Sequence, residues 1–205
     1  MPQHYALRFD LNRFPEPWLE IDGVKMHVTS RVSPLKDAEN RVRLLGVKKV
    51  SNALDVCTGL GYSAIALAKA GAKVTTIELD EHVLELAKQN KYSQGLFDGS
   101  KIRLLVGDAF ELVKEFEDAS FDVILHDPPR FSFAGELYSG EFYRELFRVL
   151  QKGGRLFHYT GTAGERTGKR LLRGVKERLS QAGFQRIKRL EKEMGFLAFK
   201  PSRGA

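Results

Sequence analysis

Short apolar runs recur along this chain, and from Val50 onward each is followed by a stretch whose apolar positions return at helical spacing. Val50 to Cys57 reads as a buried strand, and the helix after it lies near Ser63 to Ala70. Lys73 to Leu79 is a second strand, and Asp80 is an N-cap for a helix over Glu81 to Lys91. Ser93 to Lys101, with Gly95 and Gly99, reads as a loop. Ile102 to Val106 is a third strand, Ala109 to Phe116 a helix and Phe121 to His126 a fourth strand. A loop from Asp127 to Gly140 leads to a helix over Glu141 to Leu150, and Lys152-Gly153-Gly154 turns into a fifth strand, Arg155 to Tyr159. A basic helix, Lys169 to Gln181, ends at Gly183. The strands Phe184 to Leu190 and Gly195 to Lys200 have so short a break that they should pair antiparallel. Strands alternating with helices predict an α/β fold, a parallel sheet with helices on both faces.

The first 48 residues do not share this rhythm. Leu19-Glu20-Ile21 and Val24 to Val28 alternate apolar and polar across Asp22-Gly23, which predicts a hairpin on a type I′ turn. Ser33-Pro34 starts a mixed-charge helix within Arg31 to Leu45 that stops at Gly46. Residues 1–48 therefore read as an accessory element, either covering a ligand cleft in the domain over 49–205 or merely extending its sheet.

Composition sharpens the picture in three places. No apolar run in the 205 residues is long enough to span a bilayer, and Met1-Pro2-Gln3-His4 carries no signal-peptide core, so a soluble cytoplasmic protein is expected. The single cysteine, Cys57, has no partner for an internal disulfide and sits where a small apolar core residue belongs. The net charge of +7 is uneven: residues 151–205 carry 14 Lys/Arg against 4 Asp/Glu, on a mildly acidic body. Such a basic end, including Lys169, Arg170, Arg173, Lys176 and Arg178, suits a polyanion and nucleic acid first, or is a solvated helix surface.

Ligands of such sheets sit outside the carboxyl ends of the strands. The first strand delivers Asp55 and the turn Gly59-Leu60-Gly61, the second Glu78, the third Gly107-Asp108-Ala109 and the fourth Asp127-Pro128-Pro129. Glycines let the chain turn sharply and let a ligand approach the backbone. Glu78 lies at the distance past them that suits a ribose diol, and Asp108 can accept from an adenine amino group or cap the helix behind it. Two prolines fix a stiff loop without N–H donors, leaving its carbonyls free to face a substrate. No His/Cys cluster has metal-ligand spacing, so no metal is expected.

With these residues the chain resembles the class I, Rossmann-like S-adenosylmethionine-dependent methyltransferases over residues 50 to about 200, including uncharacterised archaeal-type members with a Asp-Pro-Pro motif. The resemblance implies a three-layer Rossmann-like sheet, mostly parallel with an antiparallel last strand, beside the small N-terminal hairpin and helix. It implies S-adenosylmethionine as cofactor, held by Asp55, Thr58, Gly59, Gly61, Glu78, Leu79, Asp108 and Ala109, with Asp127, Pro128 and Pro129 as the catalytic motif. Arg130, Phe131, Phe133, His158 and Tyr159 are the candidates for substrate contact: the phenylalanines to stack on a flat ring or fill a core, Arg130 to meet a phosphate. Two departures stand out. Cys57-Thr58 replaces a further glycine common in the family, and Arg130 separates Pro129 from the aromatic. The expected acceptor is a nitrogen of an RNA base, in tRNA or rRNA. The alternatives are a small molecule or protein, and an aminopropyltransferase, whose polyamine site would be richer in carboxylates. From outside transferase chemistry, an NAD-dependent oxidoreductase would explain Gly59, Gly61 and Glu78 but leave Asp108 and Asp127 unused.

Overall fold

The structure, a computed structural model, describes residues 3–30, 32–49, 51–161 and 166–202. Three strands, β1 (Tyr5–Asp10), β2 (Phe14–Ile21) and β3 (Val24–Lys25), form a small antiparallel sheet in that order. Asp22 and Gly23 turn from β2 to β3 with φ of +48° and +76°, both left-handed, as a type I′ turn demands. β1 was not expected. Its side chains are half-buried or exposed without alternation, so no period marks it in the sequence. Helix α1 (Pro34–Leu45) starts where Ser33-Pro34 predicts: the Ser33 hydroxyl accepts from Lys36 N–H, and Gly46 ends the helix at φ +59°.

The main sheet has seven strands: β4 (Asn52–Val56), β5 (Lys73–Glu78), β6 (Ile102–Val106), β7 (Phe121–His126), β8 (Leu150–Tyr159), β9 (Gln185–Leu190) and β10 (Gly195–Phe199). Their order is β6-β5-β4-β7-β8-β10-β9, and β10 runs antiparallel to both its neighbours. The connections are α2 (Tyr62–Lys69), α3 (Glu81–Gln89), α4 (Ala109–Leu112), α5 (Gly140–Val149) and α6 (Arg166–Gln181). The chain fills one side of β4 and then crosses to β7 on the other. The crevice above the carboxyl ends of β4 and β7 is thus the switch point, where such sheets take ligands.

Strand alternation sorts the side chains into two apolar layers, giving the three-layer architecture. Leu54, Val56, Ile124 and Leu156 point to the layer under α5 and α6, with Phe142, Tyr143, Leu146 and Leu179. Ala53, Val123, Leu125 and Phe157 point the other way, to Ala64, Leu67 and Val83. Leu19, Ala38, Val42 and Leu45 belong to that second layer, so the N-terminal element is packed into the core of the main sheet. Burying a leucine such as Leu45, 1 % exposed, contributes about 1.5–3 kcal/mol.

Three local expectations are corrected. Lys91–Leu96, expected within a helix end and a loop, is a 3₁₀ segment with Ser93 and Leu96 buried beneath the glycine turn. The helix expected over Ala109 to Phe116 is one α turn followed by a 3₁₀ turn, Val113–Glu115. The fifth strand begins at Leu150 and includes the Gly153-Gly154 irregularity. The expected starts at Arg31 and Val50 lie outside the described residues. Among the described residues no helix is long and apolar enough to cross a membrane.

Candidate active site

One cleft of ≈ 1560 Å³ opens over the carboxyl ends of β4, β5 and β7. Residues of β2, β3 and α1 wall one side, and α6 contributes Arg170, Arg173 and Arg178 to the other. Beneath it the chain leaves β4 through a turn in which Cys57 and Thr58 N–H both donate to the Ile77 carbonyl, at 3.1 and 3.0 Å. Cys57 stands at φ +70°, a conformation that favours glycine. The position where the family resemblance implies a further glycine thus has a glycine-like backbone here, under a larger side chain. Gly59, at φ +55°, has nothing within 4 Å of where a Cβ would project, so its backbone faces open space. Gly61, at φ +79°, caps α2 with its would-be Cβ 2.9 Å from Leu96 and does not line the cleft.

Asp55 does not reach the cleft either. It is fully buried under the turn, where its Oδ2 accepts from the Thr76 hydroxyl at 2.7 Å and Thr76 in turn accepts from Thr58 at 2.6 Å. Its Oδ1 is enclosed without a partner among the described residues. Burial raises the Asp55 pKa to about 7, against the opposing bonds from Thr76 and Ser63. A carboxyl whose folded pKa lies above its unfolded value stabilises the fold fully below the unfolded pKa, and that contribution is lost as pH rises through about 7. Asp55→Asn is therefore expected to leave stability near neutral pH within about 1 kcal/mol. It should also flatten the decline in stability between pH 4 and pH 7 measured by urea unfolding. An unchanged slope would mean that Asp55 is ionised throughout.

The donor side of the cleft is built from β5 and β6. Glu78 Oε2 accepts from Gly59 N–H at 2.7 Å, and Oε1 from Asp80 N–H at 3.1 Å. Burial pushes its pKa up while these backbone bonds oppose the shift. A carboxylate offers about four lone-pair sites, so two donors leave room for a diol. Leu79, 67 % exposed, and Ala109 line the same wall. Asp108 Oδ1 caps α4 by accepting from Phe110 N–H at 2.8 Å, and the exposed side chain also lines the cleft. Asp108 therefore caps the helix and still lines the cleft. Burial pushes the Cys57 thiol well up, and the charges of Glu78 and Asp127 add to the rise.

Across the cleft Asp127 ends β7, its N–H donating to the Val56 carbonyl at 3.1 Å. Its carboxylate is paired. Arg41 of α1 donates Nη1 to Asp127 Oδ2 at 2.5 Å and Nη2 to Asp37 Oδ2 at 2.5 Å. Arg41 is 4 % exposed, its guanidinium carbon lies 4.2 Å from the Tyr159 ring centre, and its Nε has no partner among the described residues. The Asp127 side chain remains 30 % exposed toward the cleft. Burial raises its pKa and Arg41 opposes the rise; burial likewise raises Asp37 to about 6. Asp37 and Arg41 were missed by the sequence reading, since their i,i+4 spacing looked like one more surface pair of a mixed-charge helix.

Pro128 and Pro129 line the cleft, but the Pro129 carbonyl accepts from the Tyr138 hydroxyl at 2.9 Å and is not a free acceptor. Arg130, Phe131 and Phe133 line it as well, the phenylalanines 49 % and 60 % exposed. Such exposure rules out core packing for both. His158 and Tyr159 part company. Successive strand residues face opposite sides, so Tyr159 reaches the cleft with Arg41 while His158 is fully buried behind it. There it stacks on His126 at 4.4 Å and bonds the Tyr143 hydroxyl at 2.9 Å; burial holds His126 down at about 3. The expectation that His158 touches substrate is withdrawn on this geometry. On α6 Arg170 and Arg173 are exposed at the cleft, whereas Arg178 donates to the Tyr138 carbonyl at 2.7 Å.

Residues 54–158 match a family described as "Methyltransferase domain". An uncharacterised protein of Methanocaldococcus jannaschii is 52 % identical over 186 residues, 90 % of this chain and 64 % of that protein. A demethylmenaquinone methyltransferase of Staphylococcus aureus is 37 % identical over 118 residues, 54 % of this chain and 43 % of that protein. The chain thus spans under two thirds of the length of either relative. A spermidine synthase crystallised with the transition-state analogue AdoDATO shares the fold, with a TM-score of 0.74 at 20 % identity over 91 % of this chain and 67 % of that one.

Proposed function

The chain belongs to the methyltransferase-domain family, and on that footing we propose that it is an S-adenosylmethionine-dependent methyltransferase acting on a ring nitrogen of an RNA base. The observation that carries the reading is Asp127, which lines the cleft opposite Gly59 and Glu78 with one carboxylate oxygen held by Arg41.

The residues on the donor side fit the cofactor. Glu78 would take the ribose hydroxyls, Leu79 and Asp108 the adenine, and the Gly59 turn the methionine part, in surroundings whose carboxylates favour a positive charge. S-adenosylmethionine, when bound, supplies a methyl group already activated on a sulfonium. The chain's own task is then alignment and electrostatics. Asp127 would accept the hydrogen bond of the nucleophilic N–H and take up its proton as the bond from nitrogen to the methyl group forms and the methyl–sulfur bond breaks, which leaves the donor as a neutral thioether. Phe131 and Phe133 stack on the planar base, and Arg130, Arg170 and Arg173 meet flanking phosphates.

The test is calorimetric titration with S-adenosylmethionine, with NAD as control, followed by transfer of labelled methyl into bulk tRNA and rRNA. Methyl incorporation is expected to fall steeply with salt, by about 10³-fold in affinity from 50 to 200 mM if the cationic wall contacts six phosphates. A flat salt response removes the RNA assignment; binding of NAD alone removes the methyltransferase. A second reading, alkyl transfer to an amine, is favoured by a fold likeness that takes in 91 % of the chain. Three arginines facing the cleft argue against a polyamine there, and product from putrescine in the same assay would reverse the choice.

A further inference from the structure

The cleft contains a histidine that neither the sequence pattern nor the reading above uses. His27 follows β3, lines the cleft that Asp37 and Arg41 also line, and is packed edge-on against Tyr62, ring centres 5.4 Å apart. Tyr62 is itself fixed, its hydroxyl donating to the Pro17 carbonyl at 2.8 Å and accepting from Asn90 at 2.9 Å. The ladder between β2 and β3 explains the ring's orientation. Met26 N–H donates to the Leu19 carbonyl at 2.9 Å, and Leu19 N–H donates to His27 Nδ1 at 3.2 Å.

A backbone N–H can only donate, so Nδ1 must carry a lone pair and the ring proton sits on Nε2. Protonating Nδ1 would set two donors face to face and orphan the N–H of Leu19, a residue only 3 % exposed. Burial first, and the Arg41 charge second, accordingly hold the His27 pKa down at about 3. His27 is therefore neutral at physiological pH and unable to act as a base there. Its Nε2–H has no partner among the described residues and is not one of the enclosed polar atoms. It is a hydrogen-bond donor of fixed tautomer, presented to the cleft.

We propose that His27 determines acceptor specificity, its Nε2–H donating to a carbonyl oxygen of the acceptor. The proposal rests on the reading of Asp127 as the acceptor of the nucleophilic N–H. Together they select a heterocycle that carries a ring N–H next to a carbonyl, as uracil and guanine do and adenine does not. His27, Asp127 and the Arg41 that holds Asp127 all line the same cleft.

Long-range ¹H–¹⁵N correlation spectra of the full chain test this directly. His27 is expected as the Nε2-protonated tautomer, with no titration between about pH 5 and 8. Titration with uridine or guanosine should shift its Nε2 resonance, and adenosine should bind roughly 5- to 10-fold more weakly without shifting it. His27→Phe should abolish the discrimination and keep calorimetric S-adenosylmethionine binding; if that variant fails to fold, the wild-type spectra decide. An Nδ1-protonated ring, a titration near neutrality, no shift with uridine and guanosine at their solubility limits, or an equal response to adenosine would each overturn the proposal. Failure of methyl transfer to RNA alongside intact nucleoside discrimination would remove the RNA reading and leave His27 standing.

Discussion

Asp127→Asn is expected to lower methyl transfer by about 10²–10³-fold while S-adenosylmethionine binding changes by no more than about 2-fold. The substitution keeps the side chain's size and lets its carbonyl oxygen still accept from Arg41. What changes is the face toward the cleft. An amide NH₂ would meet the acceptor's N–H donor to donor, and it cannot take up the proton that the nitrogen loses on methylation. The donor side, Gly59, Glu78 and Asp108, lies on other strands and has no bond to Asp127. The loss should therefore fall on turnover and acceptor affinity. Single-turnover transfer of labelled methyl, with calorimetry on the same preparation, separates the two. Turnover within a factor of about three of wild type would take Asp127 out of the chemistry and leave it a structural partner of Arg41.

The largest stability effect is expected from Arg41→Met. Removing the guanidinium leaves Asp37 and Asp127 facing each other in a buried pocket without a cation. Breaking a buried ion pair in this way costs about 3–5 kcal/mol, a fall in Tm on the order of 10 °C for a chain of this size. The pH dependence supplies the sign. Burial already raises Asp37 to about 6 and raises Asp127, and loss of Arg41 removes what opposes that rise. Both carboxyls then take up protons more readily when folded than unfolded, so the variant's stability is greatest below the unfolded pKa and is lost as pH rises. The gap to wild type should be small at pH 4 and wide at pH 7.5 in urea unfolding. A gap that does not change with pH would mean that packing of the arginine stem against Tyr159, and not its charge, is what α1 contributes.

Local sequence marked those parts whose cause is local. Asp22-Gly23 needs positive φ at both residues, Ser33-Pro34 and Gly46 bound α1, and apolar runs separated by glycines trace β4 to β10, because turn chemistry and burial act over a few residues. The carboxylates at the strand ends were legible for the same reason: a parallel sheet brings those ends to one edge, and position along each strand suffices to find them. Which of them face the cleft was decided elsewhere. Asp55 is drawn under the turn by Thr76, 21 residues away, and Tyr138 occupies the carbonyl of Pro129. Tyr159 and His158 part according to which face of the sheet each side chain points to, and the sequence leaves that face unassigned until α1 and α5 are packed.

Arg41 reaches Asp127 across 86 positions, and His27 is turned into a donor by a backbone N–H on a neighbouring strand. The first exists only through the docking of the N-terminal element on the main sheet, and the second only through the pairing of the hairpin that holds both Leu19 and His27. The sequence by itself therefore determined the α/β frame and the candidate donor wall, whose parts each strand supplies at its own end. The tertiary structure alone decided the acceptor wall, where Asp127 is held by an arginine 86 positions away and the tautomer of His27 is set by a backbone N–H that only the folded hairpin brings to it.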